Sequence, residues 1–127
     1  SHEKDILFHS DAVQALGKIP IDVNTISADF LSMSAHKLYG PKGTGALFIR
    51  KGSTVKPLIY GGGQEYSLRA STENIAGIGG FGMATEHATM NLEENCEHIT
   101  RLETHFIHST FKLIKTPLSL SICGKYA

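Results

Sequence analysis

Ala28-Asp29-Phe30-Leu31-Ser32-Met33-Ser34-Ala35-His36-Lys37-Leu38-Tyr39-Gly40-Pro41-Lys42-Gly43-Thr44-Gly45-Ala46-Leu47-Phe48-Ile49-Arg50 is the stretch that decides the fold. Its first part, Asp29 to Ser34, reads as a short strand. Its last part, Gly45 to Arg50, carries a continuous apolar run at positions 46 to 49, the pattern of a strand in a sheet covered on both faces. Between them, Tyr39 to Gly45 packs glycines 40, 43 and 45 and Pro41 into one tight, defined loop. The tetrad Ser34-Ala35-His36-Lys37 lies where the first strand ends and the loop begins.

Upstream, Asp5 to His9 is a short apolar run that predicts a buried strand opening at Ser10-Asp11. Ala12 to Leu16 predicts a helical turn or two, stopped by Gly17, and Pro20 and Asp22 mark a turn. Downstream, Val55 to Tyr60 reads as a fourth extended piece and Gly61-Gly62-Gly63 as a second loop. Thr72-Glu73-Asn74 resembles a helix start, with a capping group and an early acid. A long helix is expected from there to about Lys112, weakened early by Gly77, Gly79, Gly80 and Gly82. Met83, His87, Met90, Leu102, Phe106 and Leu113 are spaced for it, and its Met and Phe positions are expected in the core. Pro117 ends it, and Leu118 to Ile122 reads as a last strand. Strands so close to both ends lead us to expect α/β architecture with further elements on either side, a piece of a larger protein.

The 127 residues carry 12 basic and 12 acidic side chains and a formal net charge of zero. That speaks against a nucleic-acid or membrane-surface partner, which draws on basic excess. A hydrophobic content of 41% supports a packed core. No run of 18 apolar residues is present, and the charged start (Ser1-His2-Glu3-Lys4-Asp5) lacks the apolar core of a signal peptide. Two cysteines, Cys96 and Cys123, argue against a disulfide framework and a four-cysteine zinc site, and fit a reducing compartment.

A lysine at a strand end, against a low-dielectric wall, loses part of the cost of being neutral and becomes a nucleophile for a carbonyl. Asp11 stands just past the end of another strand, so a parallel sheet would place Asp11 and Lys37 on one carboxyl rim, where ligands gather. That pair suits pyridoxal phosphate. The carboxylate keeps the pyridine nitrogen protonated, and the lysine ties the aldehyde as an imine. Ser34, His36 and Thr72 could serve its phosphate. Plainer readings stand beside this one: Lys37 as a surface lysine, Asp11 as a helix cap. A nucleotide loop fails, because Ala46-Leu47 follow Gly40 to Gly45 where Lys and Ser/Thr are required. Cys96, His98, His105 and His108 fall on one helix, where four ligands rarely converge, so a solvated face is expected and no metal site.

These residues resemble the cysteine desulfurases of the NifS/IscS group, class-V aminotransferases that depend on pyridoxal phosphate. His9-Ser10-Asp11-Ala12-Val13-Gln14-Ala15-Leu16-Gly17-Lys18-Ile19-Pro20-Ile21-Asp22 is similar to their aspartate segment, and residues 28 to 50 to their cofactor-lysine segment. Gly61-Gly62-Gly63-Gln64-Glu65 and Arg69-Ala70-Ser71-Thr72-Glu73-Asn74 resemble the next segment, although the family often shows Arg-Ser-Gly-Thr there. The likeness runs in order from about residue 4 to residue 90.

The resemblance implies part of an aspartate-aminotransferase-like, fold type I large domain with a mainly parallel seven-stranded sheet. Residues 1–115 would be the C-terminal half of that domain, and 116–127 the start of the small domain. It implies Lys37 as the lysine that holds the cofactor covalently and later moves protons, and Asp11 as partner of the pyridine nitrogen. Gln14 would bond the ring oxygen, Ser34 and His36 the phosphate, and Thr72 the phosphate of a neighbouring subunit in a homodimer. The reaction implied is L-cysteine to L-alanine, with sulfur passed as a persulfide to an acceptor or iron–sulfur scaffold protein. A cytoplasmic setting is expected, mitochondrial in a eukaryote. Neither Cys96 nor Cys123 matches the sulfur-receiving cysteine, so the chain alone is expected to be inactive. A selenocysteine lyase or another class-V aminotransferase remains an alternative, as does a non-catalytic binding or oligomerisation module.

Overall fold

The computed structural model describes residues 6–113, which fall into two units divided after Leu92. The first holds β1 (His9–Asp11), α1 (Val23–Ile26), β2 (Phe30–Ser34), β3 (Gly45–Ile49) and α2 (Ile75–Met90). A 3₁₀ turn, Ala35–Leu38, and a turn at Gln64–Ser67 in which Glu65, Tyr66 and Ser67 have positive φ complete it. The helix α3 (Leu92–Leu113) starts at the last residue of the first unit and forms the described part of the second. The expected strand at 118–122, the helix stop at Pro117 and the domain boundary at 115/116 lie outside the described residues.

β2 is the middle strand of three. It pairs in parallel with β1, Asp11 opposite Ser32, and antiparallel with β3, Ser34 opposite Gly45. The amino end of β2 is fastened by Asp29, which is 4% exposed. Its carboxylate accepts the Phe8 N–H (2.8 Å) and the Ser53 hydroxyl (3.1 Å), and its carbonyl accepts the Arg50 N–H (2.8 Å). Arg50 in turn donates from Nε to the Ala28 carbonyl (2.8 Å) and from its guanidinium to the Val23 carbonyl. One buried acid thus joins the segments entering β1 and leaving β3.

The core is small and built largely from small side chains. Ala35, Leu38 and Phe81 are its buried centre, with Leu16, Met33, Ala84 and Ala88 packed around them. α2 presents Gly77, Gly80, Phe81, Ala84 and Ala88 inward, at helical spacing. This lets the helix approach the 35–41 segment closely. A Cβ on Gly80 would stand 2.6 Å from Pro41 Cγ, too near to be accommodated without movement. Gly17 adds a second close approach. Its φ is +70°, and a Cβ there would collide with Leu38 and stand 2.9 Å from Ala88 Cβ.

Several expectations are corrected. Within Asp5 to His9, only His9 of the described residues joins the ladder, and Ile6 and Leu7 are exposed. Residues 46 and 47 of β3, on opposite faces of the strand, are exposed as well. Val55 to Tyr60 forms no strand, and Pro57 has no N–H to give a ladder. The turn read at Asp22 carries α1, because the Asp22 carboxylate accepts the Asn24 N–H (2.8 Å) and caps it. The long helix is two helices. Asn91 closes α2, its N–H and its side-chain amide both donating to the His87 carbonyl. Met83, Met90 and Phe106 are exposed rather than core; on α2 the helix spends its inward face on glycine and alanine. No helix among the described residues is long and apolar enough to cross a membrane.

Candidate functional site

Because β1 and β2 run in parallel, their carboxyl ends share one edge of the sheet. Asp11 is the last residue of β1 and Ser34 the last of β2. Lys37 follows within the 3₁₀ turn, half-buried between buried Ala35 and Leu38. Those two side chains bury under α2, so they hold the lysine's backbone down while its own side chain stays accessible. The turn is tied at its start by the Ala35 N–H donating to the Thr44 carbonyl (3.0 Å). It is stopped by Tyr39, a fully exposed tyrosine in the left-handed region at φ 63°. A non-glycine residue there costs about 1 kcal/mol, so tertiary contacts on either side must hold the turn.

The other candidates divide into those the fold gathers and those it leaves apart. Ser34 Oγ and His36 Nδ1 share a 2.7 Å hydrogen bond, a hydroxyl and an imidazole side by side next to Lys37. Asp11 Oδ1 accepts the Val13 N–H (2.8 Å), an Asx turn that orients the carboxylate at the strand end. Gln14 lies one turn further on, exposed, its Oε1 accepting from Lys18 Nζ at 3.4 Å. Thr72 stands apart, exposed, in the segment before α2. No hydrogen bond joins it to Asp11, Ser34, His36 or Lys37. Its neighbours are organised by Arg69, which donates to the Ala70 carbonyl (2.9 Å) and the Ser71 hydroxyl (2.5 Å).

Two surface hollows lie away from these residues: one of 780 Å³ along α3 beside Cys96, Arg101 and His105, and one of 360 Å³ beside Asp29 and Arg50. Among the described residues no three His, Cys, Asp or Glu side chains converge to hold a metal.

The sequence reading passes over His9, Ser32 and Thr44. His9 Nε2 and Ser32 Oγ are 2.7 Å apart, linking β1 to β2 beside Asp11. The signal was the period of two: His9 and Asp11 on one strand, Ser32 and Ser34 on the other, all on one face. Thr44 was passed over as a loop residue. Its hydroxyl is buried without a partner where α2 begins, next to Gly77.

A model of the class-V aminotransferase family matches residues 1–120. The chain is 53% identical over 112 residues to a cysteine desulfurase IscS of Dictyoglomus turgidum, covering 88% of this chain and 28% of that protein. It is 50% identical over 117 residues to the IscS of Methanosarcina thermophila, covering 92% and 29%. A solved NifS-like protein superposes with a TM-score of 0.83 at 44% identity, over 94% of this chain and 33% of that one. The chain therefore spans about a third of each relative's length or less.

Proposed function

The chain belongs to the class-V aminotransferase family, and from that premise we propose that its Asp11–Lys37 edge binds pyridoxal phosphate as part of a cysteine desulfurase. The fold is that of the fold type I enzymes, and the relatives carry the desulfurase name. The observation that carries the reading is the shared edge of two parallel strands, which places a carboxylate, an amine and a hydroxyl–imidazole pair together.

These groups fit the cofactor's chemistry. The carboxylate complements a ring N–H, the amine an aldehyde, and the hydroxyl–imidazole pair a phosphate. When bound, the cofactor withdraws electrons from the carbon attached to the substrate's amine. Asp11 holds a negative charge at the ring nitrogen and keeps its proton in place. Its Asx turn with Val13 means this carboxylate needs little reorganisation. Ser34 Oγ and His36 would donate to phosphate oxygens, and Gln14, one turn from Asp11, would donate to the ring oxygen. Lys37 would hold the cofactor and would be the group that moves a proton at the substrate carbon. Its fixed backbone keeps the freed amine within reach. We place Thr72 at the phosphate site of a second subunit, which accounts for its separation from the Asp11 edge. L-cysteine as substrate and a sulfur-acceptor protein as partner belong to the same proposal.

Titrating pyridoxal phosphate into the protein tests the reading. A protein-bound absorbance that saturates, and that vanishes in Lys37→Arg, is expected. Equal absorbance in wild type and Lys37→Arg would overturn it.

A further inference from the structure

The geometry points to His9 and Ser32 as a cross-strand register pin that positions Asp11: a pair that touches no reactant and acts through the strand. This inference rests on the reading of Asp11 given above. β1 is three residues long and, among the described residues, has one neighbour, β2. A strand that short is held in register by few bonds. A slip of one residue would turn Asp11 to the opposite face of the sheet, away from Ser34.

Ser32 opposes that slip twice. It is the register partner of Asp11, and its carbonyl accepts the N–H of Ala12, the next residue, at 2.9 Å. Its hydroxyl reaches diagonally back to His9 Nε2 at 2.7 Å. His9 and Asp11 are alternate residues on one face, about 7 Å apart. Ser32 therefore holds β1 at a point on either side of Asp11's Cα. A one-residue slip would separate the His9 ring from the hydroxyl, because the two would then lie on opposite faces. The bond exists only in the register that leaves Asp11 on the face of Ser34.

Hydrogen exchange of the apo protein is the first measurement, on Ser32→Ala, His9→Phe, the double variant and Ser32→Thr. Exchange of the Ala12 amide is expected to quicken about tenfold in each single variant, the size of one net hydrogen bond. The double variant is expected to lose no more, since one bond is being removed, and Ser32→Thr is expected to keep the protection. The β3 amides are expected to hold. Unchanged Ala12 exchange, or equal loss across β3, would overturn the pin.

Pyridoxal phosphate affinity is the second measurement. A weakening of about tenfold in Ser32→Ala, restored in Ser32→Thr, supports the positioning role. Quickened Ala12 exchange with unchanged affinity overturns that role. Failure of the wild type to bind pyridoxal phosphate, with Ala12 exchange still quickened, supports the pin and overturns the cofactor reading.

Discussion

Asp11 combines two duties that substitution can separate. Its Oδ1 receives the Val13 N–H, a structural bond, while in the proposed reading the carboxylate charge would serve the ring nitrogen. Asp11→Asn keeps an acceptor for Val13 and removes the charge. We expect it to leave unfolding within about 0.5 kcal/mol of wild type, since it is an exposed site. We expect it to weaken pyridoxal phosphate binding by roughly tenfold to a hundredfold, the worth of one charged hydrogen bond; a fluorescence titration reads this. Asp29 has the opposite character. Asp29→Ala strands the Phe8 N–H and the Ser53 hydroxyl, and should cost about 3 kcal/mol in urea unfolding. A loss below about 0.5 kcal/mol would contradict the role given to it. Asp22 supplies the pH dependence. The Asn24 N–H and then the Thr25 hydroxyl hold its carboxyl below the ordinary value of 3.8. Its capping of α1 is therefore complete above that value and lost as pH falls through the lowered one. Exchange of the Asn24 amide followed below pH 5 should quicken in that direction. The strand-end placement of Asp11 and Ser34, with Lys37 in the turn that follows, was legible because short apolar runs stop at polar residues there. His9 and Ser32 were not, because their partnership depends on register, which one sequence does not state.

At the scale of elements, β2 and the lysine loop were readable. An apolar strand, a polar tetrad and a loop rich in glycine and proline leave little freedom. The start of α2 was readable too, although its cap is the amide of Asn74, which accepts the Gly77 N–H at 3.0 Å. The break at Asn91 was missed, because apolar spacing carried on through a site where a side chain competes for a backbone carbonyl. α1 was missed because four residues leave no period to detect. The inward face of α2 was misread for a different reason. Hydrophobic size was taken as the mark of the core, whereas close packing on the lysine turn selects glycine and alanine. Gly17→Val tests that packing. It places a branched side chain at φ +70° and against Leu38, and should cost 2 kcal/mol or more, with the larger share from overpacking. Thermal unfolding measures it, and an unchanged midpoint would contradict the account.

At the scale of the molecule, the chain spans 28–29% of the two IscS relatives, and the proposal assigns it one edge of a cofactor site. Leu58 and Tyr60 are nearly bare, so apolar surface remains where a covered element would hide it. Cys96 is on α3, and the proposal assigns the sulfur-receiving role to neither it nor Cys123. The 127-residue chain given L-cysteine and pyridoxal phosphate should therefore form no alanine above the rate of the free cofactor. An amino-acid assay decides this. The central claim, that the fold makes Lys37 the cofactor lysine, is tested most directly by borohydride. The protein is mixed with pyridoxal phosphate, reduced, digested, and the modified peptide located by mass. The account predicts a single phosphopyridoxyl label on Lys37, reduced in Asp11→Asn. Labels spread over Lys18, Lys42, Lys51 and Lys56 with none favoured at Lys37 would contradict it.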